Sequence, residues 1–228
     1  MKKLVVISLG GSLIVPDNMN TPFLIDFREE LRRHYAHYRF VVICGGGPIA
    51  RKYMDALRSI HRSEYEQALA GIRATRINAR FLMQFFGKEA NDKLPSTMQQ
   101  VKNNLAKNNV VICGALRYEP DSTSDGTAAR LAQYLKTSFI NMTNTSGLYS
   151  ADPKKNRDAK LIPHISWAKF EELVNKIKYI PGQHFVLDQK AAGIIGRRRI
   201  STHIVGPDCQ QLARILHNKP YKGTLIQG

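Results

Sequence analysis

The sequence predicts an α/β protein, a three-layer sandwich in which a central, mainly parallel sheet lies between helices. Short apolar, β-branched runs recur along the chain, and they are continuous rather than alternating, as strands covered on both faces read. Segments of helical spacing lie between them, and strand–helix alternation is the signature of a parallel sheet. Three of the runs also end in glycine-containing turns, and the carboxyl ends of the strands are where open α/β sheets bind ligands.

The first run, Leu4 to Leu9, ends at Gly10-Gly11-Ser12. Lys2 and Lys3 precede it, so a secretion signal is the competing reading. The glycines interrupt the apolar stretch, however, and no small-x-small site follows before Pro16-Asp17-Asn18. The second run, Phe40 to Cys44, leads into CGGGPIARKY. A long helix follows, with Tyr65, Leu69, Ile72, Ala79, Met83 and Phe86 expected on one stripe. The third run, Val110 to Cys113, opens into GALRYEPDSTSDGTAA, and Ala128, Ala129, Leu131, Ala132 and Leu135 then mark another helix. Phe139 to Thr143 and His203 to Val205 complete the predicted strands. Between them Asn144 to Pro163 is polar, turn-rich and long for a connection, and long ordered loops tend to carry function.

At 228 residues and 43% hydrophobic content, the chain can bury a substantial core as a single domain 1–228, with a soft division near residue 137. Three cysteines make an odd count without a C-x-x-C pair, and Cys44 and Cys113 sit before glycine in apolar runs, as small buried hydrophobes do. A reducing, cytoplasmic setting is expected, without a membrane partner, because the apolar runs are too short to span. The net charge of +16 invites a nucleic-acid reading. Residues 1–149 carry 20 Lys and Arg against 12 Asp and Glu, residues 150–228 carry 14 against 6, and only Arg197-Arg198-Arg199 forms a run of three. A basic surface favouring small anionic substrates fits that spread better than a dedicated nucleic-acid face.

Glycine lets backbone approach an anion without a side chain intervening, and a following helix N-terminus adds partial positive charge. Three such turns at one end of a sheet point to phosphate. The Walker string G-x-x-x-x-G-K-[ST] is absent. Gly45-Gly46-Gly47-Pro48-Ile49-Ala50 satisfies G-x-G-x-x-A, but the acid expected about twenty residues on is Glu64 or Glu66, inside a segment that reads as helix. A dinucleotide site therefore lacks its context. Asp125 and Asp188 each precede or open a helix, where a carboxylate caps unaided. Arg76 interrupts an apolar stripe, so either a carboxylate or bound anion faces it or it snorkels to water. Asn144 and Asp152-Pro153 make turns by themselves, and Tyr149 can pack in a core.

The strings SLGGSLIVPDN, CGGGPIARKY, GIRATRINA, STSDGTAA, MTNTSGLYSADPKK, DQKAA and KGTLIQ, in this order, resemble the amino acid kinase family over essentially the full length, and within it the archaeal uridylate kinases. The resemblance implies the amino acid kinase fold, ATP with Mg2+ over a C-terminal lobe (about 138–228), and a phosphate acceptor such as UMP over an N-terminal lobe (about 1–137) that also pairs subunits into a hexamer. It implies catalytic roles for Asp125, Gly10, Gly11 and Lys190. ATP-binding positions would be Ser12, Gly47, Arg51, Thr143, Asn144, Tyr149, Asp152 and Asp188, and acceptor positions Gly46, Arg76, Thr123 and Ser124. No metal ligand is assigned.

Five departures from the family pattern bear on chemistry. Ser8 stands where many members carry lysine, and the helix after Asp188 lacks its terminal lysine, so Lys190 or Lys3 is expected to supply that charge. Ala68 replaces an aspartate that reads the acceptor ribose, leaving Glu66 or Asp121 as substitutes. The acceptor loop LRYEPDSTSD is longer than usual, and Ser146 replaces an aspartate. Transfer to another small phosphate or carboxylate, or a non-catalytic nucleotide-binding regulator, stand as alternatives.

Overall fold

The computed structural model describes residues 2–120, 123–153, 155–175 and 187–228. The elements run β1 (Lys3–Leu9), α1 (Gly11–Ile14), α2 (Thr21–Arg33), β2 (Tyr38–Cys44), α3 (Gly47–Ser59), α4 (Glu64–Phe86) and a 3-10 turn (Gly87–Glu89), then α5 (Met98–Leu105), β3 (Val110–Cys113), α6 (Ser124–Leu135) and β4 (Ser138–Met142). They continue with β5 (His164–Ile165), α7 (Trp167–Asn175), α8 (Gln189–Arg198), β6 (Thr202–Val205), α9 (Cys209–Leu216) and β7 (Gly223–Ile226). The strands form one sheet in the order β3-β2-β1-β4-β6-β7-β5, parallel throughout except where β7 meets β6.

Central position explains the unbroken apolar runs. In β1, Val6 enters one core with Val41, Phe139, Leu131 and Ile195, while Val5 and Ile7 enter the other with Phe27, Val42, Leu82 and Phe86. Side chains alternate between faces, and both faces are covered. The five predicted strands are all present. β5 and β7 are additions, the former only two residues long.

The predicted stripe on α4 needs correction. Ala74, Ala79, Leu82 and Phe86 are buried, but Tyr65 is half exposed and Ile72 and Met83 are only partly covered. Thr75 and Asn78 share the buried face, so the inward side of this helix is partly polar. The predicted α6 stripe holds, with Ala128, Ala129, Leu131 and Ala132 buried and Leu135 packed at the edge of that core. Cys44 and Cys113 are buried thiols, as their positions suggest. Among the described residues no helix is long and apolar enough to cross a membrane.

The outer edge at β3 is closed by a side chain. Asn91 accepts from the Ile112 N–H (2.6 Å) and donates to the Ile112 carbonyl (3.1 Å), completing both hydrogen bonds a neighbouring strand would supply.

Candidate active site

Parallel pairing of β1 with β2 and β4 brings Leu9, Cys44 and Met142 to one end of the sheet, and the glycine turns follow immediately. The Gly45 N–H donates to the Leu9 carbonyl and the Gly10 N–H to the Met142 carbonyl, at 2.8 and 2.9 Å. Gly11 and Gly47 then meet backbone to backbone. A Cβ on Gly11 would lie 2.2 Å from the Gly47 nitrogen, and one on Gly47 would lie 2.5 Å from the Gly11 carbonyl carbon. Gly47 also has φ +64°, left-handed backbone that side chains rarely adopt. Only glycine fits at either position. α3 starts at Gly47, so its N-terminal amides open onto this junction. Asn78 secures it from below by donating to the Gly45 carbonyl (2.7 Å).

Ser8, buried in β1 just before the first of these turns, donates to Asp125 Oδ1 at 2.6 Å. Burial, then the neighbouring Asp188 carboxylate, pushes the Asp125 pKa up to about 7, and the Ser8 hydrogen bond only partly offsets them. Asp188 is fully engaged: Oδ2 accepts from the Thr123 N–H (2.9 Å) and hydroxyl (2.6 Å), and Oδ1 accepts from the Ala191 N–H (2.6 Å). It therefore caps α8 and ties the start of α6 to α8. Thr123 in turn caps α6 by accepting from the Asp125 N–H (3.1 Å), with Ser124 as the first residue of that helix.

Several expectations change here. Arg76 faces no carboxylate among the described residues; its Nε and Nη2 donate to the Ala115 and Leu116 carbonyls at 3.1 and 2.6 Å, pinning the segment after β3. Lys190 donates to the Pro120 carbonyl (2.5 Å), so it braces the same segment instead of the buried carboxylates. Lys3 opens β1 and lies near the Tyr38 ring, about 20 Å of extended strand from Gly10. It cannot supply the charge at this end. Glu66 forms a capping box with Ser63 (3.0 and 2.9 Å) and is spent on starting α4, which removes it as a ribose reader and, with Glu64 on the same helix, as a dinucleotide acid. Asp121 lies outside the described residues.

The remaining positions fall around the junction. Gly46 lies against Gly71 and Thr75, and Thr75 also accepts from the Ala115 N–H (2.9 Å) beside Gly114. Arg51 follows on α3, partly buried, which lowers its pKa. Gly10 packs against Thr143, whose N–H donates to the Val205 carbonyl (2.9 Å). Ser12 lies in α1 directly after the paired glycines. The long connection to Pro163 is organised by an antiparallel bridge between Tyr149 and Leu161. Asp152 ends it in a turn, its carbonyl accepting from the Asn156 N–H, while Asn144 is exposed on the way. Thr224 of β7 underpins this ribbon by accepting from the Leu148 N–H and donating to the Ile162 carbonyl. Sequence reasoning missed Thr75, Asn78 and Thr224; for the first two, polar residues on an otherwise apolar helical stripe are the available signal.

A divalent ion brought by a nucleotide fits this donor set. Asp125 Oδ2 makes no hydrogen bond among the described residues, and a buried carboxylate beside a second one favours a cation. Among the described residues no cluster of three or more His, Cys, Asp or Glu forms a ready-made cage, so phosphate oxygens would complete the shell.

Residues 3–206 match the amino acid kinase family. The chain is 31% identical to the uridylate kinase of Thermococcus sibiricus over 98% of this chain and 99% of that one. It is 32% identical to the uridylate kinase of Thermoplasma volcanium over 100% and 99%. The crystal structure of uridylate kinase from Archaeoglobus fulgidus superposes with a TM-score of 0.84 at 32% identity, over 99% of this chain and 100% of that one. UMP kinase from Ureaplasma parvum, at 20% identity and a TM-score of 0.80 over the whole of both chains, shares the fold.

Proposed function

The chain belongs to the amino acid kinase family, and from that premise we propose that it transfers the γ-phosphate of ATP to UMP, releasing ADP and UDP. The observation that carries this reading is the Gly11–Gly47 junction, where two glycine turns on adjacent parallel strands meet without intervening side chains. Phosphoryl transfer is mostly positioning and electrostatic stabilisation, and a rim of backbone amides at a helix N-terminus supplies both.

In this reading Gly10, Gly11, Ser12 and Gly47 hold the transferred phosphate and Arg51 adds charge. Thr143, Asn144, Tyr149 and Asp152 flank the adenine nucleotide, and Gly46, Arg76, Thr123 and Ser124 border the acceptor. Magnesium, held at Asp125 with the phosphates, would neutralise charge on the transferred group. The nucleophile is an oxygen of the acceptor phosphate, which is largely ionised at neutral pH. No general base is needed, so the role assigned to Asp125 is to organise charge. Lys190 acts through the acceptor segment it braces.

We extend the reading to a cytoplasmic homo-oligomer. Tyr53, Ile60, Tyr65 and Ile77 are exposed on or beside α3 and α4, which supports pairing through the N-terminal lobe, as in a hexamer. The test is ADP formation across UMP, other nucleoside monophosphates, acetylglutamate, isopentenyl phosphate and carbamate. UMP should give the highest kcat/KM, with UDP equal to ADP. Preference for another acceptor, or ATP binding without ADP from any of them, would reject the proposal.

A further inference from the structure

Asn78 lies on the inward side of α4, 3% exposed, and its Nδ2 donates to the Gly45 carbonyl (2.7 Å) and, at longer reach, to the Gly46 carbonyl (3.4 Å). Both partners are carbonyl oxygens, so the group that meets them is the amide NH2, and an ionised acid could not take its place. A trans peptide is planar, with its C=O and the following N–H on opposite sides. The Gly45–Gly46 and Gly46–Gly47 peptides are both trans. Carbonyls drawn toward α4 therefore leave the Gly46 and Gly47 N–H groups directed away from it. Neither amide makes a hydrogen bond among the described residues, and α3, which starts at Gly47, has no side-chain cap to occupy them. Glycines alone would not hold this orientation, because a peptide between two of them can turn over at little steric cost.

The same helix treats the third turn in the opposite way. Thr75, one turn before Asn78, accepts from the Ala115 N–H (2.9 Å), which by the same planarity turns the Gly114 carbonyl away from α4. The helix thus frees amides at the second turn and a carbonyl at the third, and only the amides attract an anion.

We propose that Asn78 is a positioning residue for phosphoryl transfer: it holds the Gly45 and Gly46 carbonyls so that the Gly46 and Gly47 N–H groups stay aimed at the phosphates. The proposal rests on the kinase reading for the identity of the ligand and deepens it by naming what orients the rim. Amide donors stabilise developing charge best when they are already aligned, so the effect of Asn78 falls on turnover more than on the fold.

The test is Asn78→Asp, which keeps the size of the side chain but sets carboxylate oxygens against the two carbonyls. Wild type and N78D are compared well below their melting temperatures, by steady-state kinetics and by the NMR shifts of the Gly46 and Gly47 amides on adding a non-hydrolysable ATP analogue with UMP. In N78D kcat should fall about ten- to a hundredfold while KM for UMP changes little, and the two amides should lose the response they show in wild type. The ratio of N78D to wild-type kcat should climb toward acid pH, where the new carboxyl gains a proton and can donate to a carbonyl. N78S, which keeps a shorter hydroxyl donor, should fall between the two proteins and takes the place of N78D if that variant does not fold. Wild-type kcat and unchanged amide responses in either variant overturn the proposal. So does a loss of activity that only follows the folded fraction, which would make Asn78 a packing residue. A wild type that forms UDP without any shift of Gly46 or Gly47 would overturn the proposal and leave the kinase reading standing. Amides that shift in wild type and not in N78D, without UDP formation, would overturn the kinase reading and leave the role of Asn78 standing.

Discussion

The glycine rim after β1 and β2 is held backbone against backbone, whereas the segment after β3 is held almost entirely by side chains. At the rim, Gly11 and Gly47 leave no room for a Cβ. After β3, Arg76 grips two carbonyls, Tyr118 packs edge-on against Tyr65 with centroids 4.8 Å apart, Glu119 pairs with Arg117 and Arg130, and Lys190 reaches the Pro120 carbonyl. A backbone junction admits one residue type and tolerates nothing else. A side-chain strap is held by several separate contacts, so it loses one at a time and tolerates substitutions that the rim does not.

Breaking the rim should therefore have the largest effect. Gly11→Ala places a Cβ 2.2 Å from a backbone nitrogen that cannot move without opening α3. Overpacking of this kind costs about 1–3 kcal/mol or more, a fall of several degrees in melting temperature. ATP binding should be lost with it. A G11A protein with wild-type Tm and nucleotide affinity would show that the two turns are not rigidly joined.

Next in size is the buried carboxylate linking the two regions. Asp125→Asn keeps an acceptor for the Ser8 hydroxyl but removes the charge, and turnover should fall about a hundredfold or more. Its stability effect has the opposite sign. The folded pKa is pushed up to about 7 from an ordinary value of 3.8, by burial first and Asp188 second. Between those values the folded state keeps a proton that the unfolded chain has lost. Stability without ligands thus falls as pH rises through that window, by at most about 1.4 kcal/mol per pH unit. Asparagine has no such slope. The melting temperature of D125N relative to wild type should rise from pH 5 to pH 8, and a constant difference would place the carboxyl pKa at its ordinary value.

The same contrast governs what the sequence disclosed. Glycine turns at strand ends and continuous apolar runs are local patterns, so β1, β2, β3, β4, β6 and the rim were legible. β5 and β7 were not, because two- and four-residue strands carry too little pattern. The partners of Arg76, Lys190 and Glu66 were not legible for a shared reason: each is a long side chain held by a backbone group or a cap, and no spacing rule announces such a partner. α4 misled because its N-terminal half packs beside α3 while its C-terminal half enters the core.

Asp188 joins the two regions, and its replacement should have an intermediate effect. In Asp188→Ala the α8 cap and two bonds to Thr123 disappear together. The cap alone is worth about 0.5–2 kcal/mol, and freeing Thr123 loosens the start of α6 and with it Asp125. Both kcat and acceptor KM should worsen. Asp188→Asn should restore much of the stability, since its Oδ1 can still cap, but less of the turnover. Equal recovery of both would make Asp188 a cap and nothing more.

The smallest expected effect belongs to a single contact of the strap. Lys190 is exposed at its tip and gives one hydrogen bond to the Pro120 carbonyl, a contact worth about 1 kcal/mol net. Lys190→Ala should raise the acceptor KM a few-fold, while kcat, ATP affinity and melting temperature stay close to wild type, because the other strap contacts remain. Lys190→Arg, which keeps a donor of similar reach, should recover most of the loss. Strap and rim differ in redundancy, and this pair of variants measures it. A hundredfold loss of kcat in K190A without a change in KM would mean that the lysine works on the transferring phosphate itself, and the division between a backbone-built rim and a side-chain-built strap would no longer describe this site.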